Sequence, residues 1–126
     1  MTQSIAIIDY GCGNLASVQK AVTALGFTAE MISDPSTLDR YGRAILPGVG
    51  SFNAAMNDMT HTGLADSIRE FCGSGKPLLG ICLGMQLLAS SGTEGVTHDS
   101  VPGLDLVPGE VVSLRSMGVT LSVPHV

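Results

Sequence analysis

The residues best suited to chemistry are a cysteine held between glycines, Gly80-Ile-Cys-Leu-Gly84. An apolar segment ends at Ile81 and a helical pattern starts soon after, so Cys82 falls on a strand-to-helix turn. Such a turn is strained and packs the chain tightly against itself, which small residues on both sides permit. It raises residue 82 above the sheet and sets it at a helix N-terminus, where the backbone dipole favours a thiolate. The N–H of Leu83 would point at the oxygen of an attacked carbonyl, as one donor of an oxyanion hole. An isolated GxCxG is as readily a small buried cysteine between packing glycines. The strand-turn-helix context favours the nucleophile.

A second loop, Pro47-Gly-Val-Gly50, follows the preceding strand. Two glycines around one residue allow backbone angles that turn amides toward a ligand. Alone it is an ordinary turn; beside an elbow on the next strand it is a candidate second half of the oxyanion hole. Gln86 lies four residues past Cys82, one turn along the same helix face, within reach of a substrate. Asp9-Tyr-Gly-Cys-Gly-Asn14 is a Gly-rich turn without the spacing of a dinucleotide loop. Cys12 has no evident activator, Cys72 ends a helical stripe, and His61 and His98 fall in predicted loops.

These residues need a scaffold that brings loop ends together. Ser4–Tyr10, Phe27–Ile32, Arg43–Leu46 and Lys76–Ile81 read as short apolar strands. Between them come helical patterns: Leu15, Val18, Val22 and Leu25 after an Asn14 cap, then Phe52, Ala55, Met56 and Met59, then Leu64, Ile68 and Phe71. A further helix is expected from Met85 to Ser90. This alternation predicts an α/β fold with a doubly wound, mostly parallel sheet of flavodoxin-like type, whose ligands bind outside the carboxyl ends of its strands. The last third is punctuated by Gly and Pro. Its short apolar alternations, Val111–Leu114 and Val119–Val123, resemble hairpin strands.

Composition narrows the function. The 126 residues carry a net charge of −5 with only six Lys and Arg, scattered along the chain, which argues against a nucleic-acid grip. No apolar run approaches the roughly 20 residues that span a bilayer. Three cysteines without a CxxC pair and three dispersed histidines predict neither a disulfide framework nor a metal site, and a reduced, cytoplasmic setting. No cofactor motif is present.

Gly80-Ile-Cys-Leu-Gly-Met-Gln86 resembles the nucleophile motif of class I (triad-type) glutamine amidotransferases, and Pro47-Gly-Val-Gly50 resembles their oxyanion strand. Ile7-Ile-Asp-Tyr-Gly-Cys-Gly-Asn14 and Pro102-Gly-Leu-Asp-Leu-Val-Pro-Gly109 are similar to the branch formed by the glutaminase subunits of imidazole glycerol phosphate synthase. The resemblance implies that Cys82 attacks the side-chain amide of glutamine and forms a thioester. It implies that Leu83 and Val49 supply the oxyanion donors and that Gly50 and Gln86 contact the glutamine. It also implies that ammonia passes to a (β/α)8-barrel cyclase partner in histidine biosynthesis, with Asn14 facing that partner.

The family's general-base histidine and orienting glutamate lie in a later His-x-Glu segment that has no counterpart here. His125, in Val123-Pro-His-Val126, resembles a different segment and is not assigned as the base. Residues 1–126 are thus expected to form a single partial amidotransferase domain, C-terminally truncated and near-inactive alone. Without a base a thiol is only a few per cent thiolate at neutral pH, and a helix dipole adds at most about 2 kcal/mol. Two rival readings are a non-catalytic partner-binding domain of the same fold and another Cys-elbow hydrolase. The latter is weakened because Leu83, not a histidine, follows Cys82.

Overall fold

The computed structural model describes residues 3–93, 99–118 and 120–122. The apolar start forms β1 (Ile5–Ile8), and Asn14 caps α1 (Leu15–Ala24) by accepting the Ser17 N–H at Oδ1 over 3.3 Å. After β2 (Ala29–Ile32) the expected polar turn is a 3-10 helix over Pro35–Arg40. The Asp34 carboxylate starts it by accepting the Ser36 N–H and O–H at 2.9 and 2.7 Å, bonds that hold the carboxyl below its ordinary pKa. Then come β3 (Ala44–Leu46), α2 (Phe52–Thr62), α3 (Leu64–Gly73) and β4 (Leu78–Gly80).

The four strands are parallel in the order β2-β1-β3-β4. Side chains alternate across such a sheet, and both faces are used. Ala6, Ile8, Ala44 and Leu46 share one buried cluster with Phe52, Met59, Ile68 and Phe71 from α2 and α3. On the opposite face, Ile5, Ile45, Leu79 and Ile81 line, with Val18 of α1 and its C-cap Leu25, a groove of about 450 Å³. That face is covered over β1 and β2 but open over β4, where Leu79 is 57% exposed. Among the described residues no helix is long and apolar enough to cross a membrane.

The last third differs in detail from the expectation. The helix predicted from Met85 to Ser90 is the shorter α4 (Leu83–Gln86), and Ala89–Gly92 is a strand, β5. Ser-Ser-Gly is poor helix-forming sequence, and the segment is captured by antiparallel pairing with β6 (Val101–Pro102) and parallel pairing with β7 (Val107–Val111). The strand expected at Val111–Leu114 is therefore displaced toward the N-terminus. Ser113 instead caps a 3-10 helix over Leu114–Met117, its Oγ accepting the Ser116 N–H at 3.2 Å. Residues 120–122 carry no strand, and Val119 and Val123 lie outside the described residues.

Arg69 on α3 fastens this small sheet to the core. Its Nε and Nη2 donate to the Leu104 and Gly103 carbonyls at 3.1 and 3.0 Å, while Nη1 pairs with exposed Asp66 at 3.1 Å. Charged donors to backbone carbonyls outweigh a solvent-exposed ion pair. Arg69→Ala is expected to lower stability by about 1–2 kcal/mol, and Asp66→Ala by less than about 0.5 kcal/mol. Urea unfolding of both variants measures the difference; equal losses would mean that the two carbonyl bonds contribute nothing.

Candidate active site

Cys82 sits at φ 53°, ψ −119°, a backbone region that L side chains avoid, directly before α4. Such a conformation costs of order 1–3 kcal/mol and persists only when its surroundings enforce it. The enforcement is visible in the flanking glycines. A Cβ on Gly84 would fall 1.7 Å from the Leu46 carbonyl oxygen, and one on Gly80 would fall 2.7 Å from the Met85 Cα. Chain packs on chain at both positions, and the Ile81 N–H extends the strand ladder to the Leu46 carbonyl at 3.0 Å. Of the three cysteines, Cys82 alone is exposed. Cys72 is half-buried, which pushes its thiol pKa up, and Cys12 packs partly against the core. Because α4 has four residues, fewer aligned peptides face Cys82 than the longer expected helix would supply.

The Pro47–Gly50 loop lies against this elbow. Pro47 and Gly48 are buried, Val49 is 41% exposed, and Gly50 adopts φ 112°. A Cβ on Gly48 would fall 3.2 Å from the Leu83 Cβ and 3.3 Å from the Gly84 nitrogen. On its other side the Asp9–Asn14 turn closes in, where a Cβ on Gly13 would fall 3.3 Å from the Gly48 Cα. Asp9 shapes that turn by accepting the Gly11 N–H at 3.0 Å. The carboxyl ends of β1, β3 and β4 thus converge where the strand order reverses, the ligand-binding crevice of a doubly wound sheet.

The two expected oxyanion donors are in different states. The Leu83 N–H donates to the Gly48 carbonyl at 3.3 Å, whereas the Val49 N–H has no hydrogen-bond partner among the described residues. Gln86 is half-buried one turn beyond Cys82, its N–H bonded to the Cys82 carbonyl at 3.2 Å. Asn14 is exposed, with its side chain serving as the α1 cap. His61 lies in the last turn of α2, not in the predicted loop. It stands roughly 14 Å along the helix from Phe52 at about 1.5 Å per residue. His98 and His125 fall outside the described residues. Among the described residues no group of three or more His, Cys, Asp or Glu side chains could hold a metal ion.

Sequence reasoning passed over Tyr10. Its phenol is buried and donates to the Pro47 carbonyl at 2.9 Å, tying the end of β1 to the loop after β3. Burial, with the nearby Cys12 thiol, pushes its pKa above the ordinary phenol range and keeps it a donor. A hydroxyl-bearing aromatic at a strand end, in a chain with only two tyrosines, was the available signal.

The model of the glutamine amidotransferase class-I family matches residues 6–123. The chain belongs to that family. It is 50% identical over 121 residues to imidazole glycerol phosphate synthase subunit HisH of Moorella thermoacetica, and 46% identical over 123 residues to the subunit of the same name from Sulfurimonas denitrificans. Each alignment covers 96% of this chain but only 55% and 58% of the relative, so the chain spans little more than half their length. Two solved structures share the class-I fold at low identity. One is a peptidase E protein of Listeria monocytogenes EGD-e, with TM-score 0.68, 17% identity and coverage of 85% of this chain and 64% of that one. The other is a glutamine amidotransferase, with TM-score 0.61, 23% identity and coverage of 69% and 46%.

The elbow makes a stability prediction. Gly84→Ala forces a methyl into the Leu46 carbonyl and should cost about 3 kcal/mol or prevent folding. Gly73→Ala meets nothing within 4 Å at the end of α3 and should be neutral or stabilising by up to about 1 kcal/mol. Comparison of urea midpoints checks both; a well-tolerated Gly84→Ala would refute the close packing at the elbow.

Proposed function

We propose that this chain carries the nucleophile of a glutaminase that supplies ammonia to a synthase partner. One observation carries the reading: an exposed cysteine at positive φ, locked between packed glycines, with the Pro47–Gly50 backbone against it. The family membership and the HisH relatives support the choice of glutamine.

In this reading the Cys82 thiolate bonds to the side-chain amide carbon of glutamine, and the carbonyl electron pair moves onto oxygen. The Leu83 and Val49 N–H groups hold that oxyanion. For both to converge, the Gly48–Val49 peptide must rotate, withdrawing the Gly48 carbonyl from Leu83 and presenting the Val49 N–H. Collapse of the intermediate expels nitrogen, which takes up a proton and leaves as ammonia; water then hydrolyses the γ-glutamyl thioester to glutamate. Gly50 and Gln86 contact the bound glutamine. Residues 1–126 belong to one amidotransferase domain. His61 lies in the last turn of α2 and is not assigned as a base; with no base assigned to the thiol, these residues alone are expected to turn over glutamine slowly at neutral pH.

The partner in this reading is the (β/α)8-barrel cyclase subunit of imidazole glycerol phosphate synthase, paired as a heterodimer with lyase activity in histidine biosynthesis. Asn14, exposed at the edge that carries Cys82, faces it. Three unpaired cysteines suit a reducing, cytoplasmic setting. One observation favours the alternative of a non-catalytic partner-binding domain, namely the occupied Leu83 N–H.

A chloromethyl ketone analogue of glutamine separates the two readings. At pH 9, where thiolate forms without a base, the analogue should alkylate Cys82, displacing chloride, with protection by glutamine and no adduct in Cys82→Ser. Modification of Cys12, or lack of protection, would defeat the glutaminase reading. For the partner surface, Asn14→Asp keeps a good helix cap while adding charge. It should weaken binding to the cyclase by about tenfold (about 1.4 kcal/mol) in calorimetry; unchanged affinity removes Asn14 from the interface.

A further inference from the structure

We propose that Tyr10 is a positioning residue for the oxyanion loop, its buried phenol fixing the Pro47–Gly48 peptide so that the Gly48–Val49 peptide can present its N–H to the oxyanion. The inference rests on Cys82 being the glutaminase nucleophile, and it goes beyond that reading by assigning a role to a residue that touches no substrate.

The argument begins with the Pro47 carbonyl. The strand ladder ends with the Ile81 N–H on the Leu46 carbonyl, so the next acceptor lies buried beyond the reach of β4. Tyr10 reaches it from two residues past the end of β1, 37 residues away in sequence, at 2.9 Å. The contact is also steric. A Cβ on Gly48 would fall 2.0 Å from the Tyr10 hydroxyl and 3.2 Å from the Leu83 Cβ. The Tyr10 hydroxyl and Leu83 thus fill the space that a side chain at residue 48 would need. The next peptide carries both the carbonyl that now occupies the Leu83 N–H and the N–H that the oxyanion needs. With the preceding peptide held by Tyr10, this unit can reorient without carrying the end of β3 with it.

A tyrosine that merely stabilised the sheet would act on every reaction of Cys82 alike. The chain holds a matched control: Tyr41 is equally buried, and its hydroxyl donates to Glu30 Oε2 at 2.5 Å, a contact shared by none of the loops around Cys82. The test compares Tyr10→Phe with Tyr41→Phe in the full 126-residue chain at pH 9, following alkylation of Cys82 by mass spectrometry. The chloromethyl ketone analogue of glutamine has a carbonyl to be held, whereas methyl methanethiosulfonate reacts with the same thiolate and has none. Tyr10→Phe should slow the maximal rate with the ketone by about tenfold or more, below the loss seen on deleting a donor outright. Its half-saturating concentration and its rate with the thiosulfonate should stay within about twofold, as should all rates of Tyr41→Phe. A Tyr10→Phe rate with the ketone equal to wild type, or an equal loss with both reagents, overturns the proposal while leaving the nucleophile assignment intact. Failure of the unmodified chain to react at Cys82 defeats the glutaminase reading and this inference with it.

A second measurement covers a Tyr10→Phe chain that does not fold. With two tyrosines in the sequence, 3-fluorotyrosine incorporated into Tyr41→Phe gives one fluorine resonance, from residue 10. That resonance should shift when the ketone adduct forms and stay put when the thiosulfonate reacts. An unmoved resonance in the ketone adduct overturns the proposal.

Discussion

The carboxyl edge of this sheet depends on the missing side chain at residue 84. With a Cβ excluded there by the Leu46 carbonyl, β3 and the first turn of α4 approach to a distance that no other residue allows. The approach forces the chain to reverse within Gly80–Gly84 and drives Cys82 into positive φ. Strain of this kind survives only if the rest of the structure is stiff enough to hold it. The stiffness comes from β3 and β4 in parallel register beneath the elbow, and from the fully buried Leu46 and Leu87 on either side of it. Exposure of the thiol and burial of Leu83 and Gly84 directly after it arise from one geometric constraint.

The same preference for glycine where chain meets chain recurs in the last third. Gly92 and Gly103 lie against the Phe52 ring, where a Cβ on either would come within 3.0 Å of ring carbon. Phe52 is the first residue of α2, immediately after the Pro47–Gly50 loop and the Ser51 cap. The small three-stranded sheet therefore bears on the helix whose start anchors the oxyanion loop, and Arg69 fixes its position from the neighbouring helix. Low aromatic content and abundant glycine are, in this fold, two sides of the same packing solution.

Much of this was legible in the sequence because it was local. The apolar stripes of α2 and α3 name the residues that are buried, and Asn14 caps the helix it precedes. The glycines at 80 and 84 announced the elbow, since their cost is compensated only by close approach. The rest is non-local. Nothing in Ala89–Gly92 marks it as a strand until Val107–Val111 and Val101–Pro102 are beside it, and the helix expected from Met85 to Ser90 overlaps it. Nor could spacing reveal that the Tyr10 hydroxyl ends at Pro47, or that the Leu83 N–H is taken by Gly48, because both contacts join segments more than 30 residues apart.

Three successive carbonyls at the end of β3 connect the packing to the chemistry. Leu46 is bonded by the Ile81 N–H at 3.0 Å, Pro47 by the Tyr10 hydroxyl at 2.9 Å, and Gly48 by the Leu83 N–H at 3.3 Å. Each is satisfied from a different place, just past β4, just past β1 and at the start of α4, so three elements hold one short stretch of backbone. The third bond is the longest, and hydrogen bonds weaken as they lengthen past about 3 Å. It is also the one whose donor a tetrahedral oxyanion would need. A loop held firmly at two carbonyls and loosely at the third concentrates its freedom in a single peptide. The closed arrangement keeps a buried backbone acceptor satisfied at rest, and the cost of opening it is confined to its weakest bond.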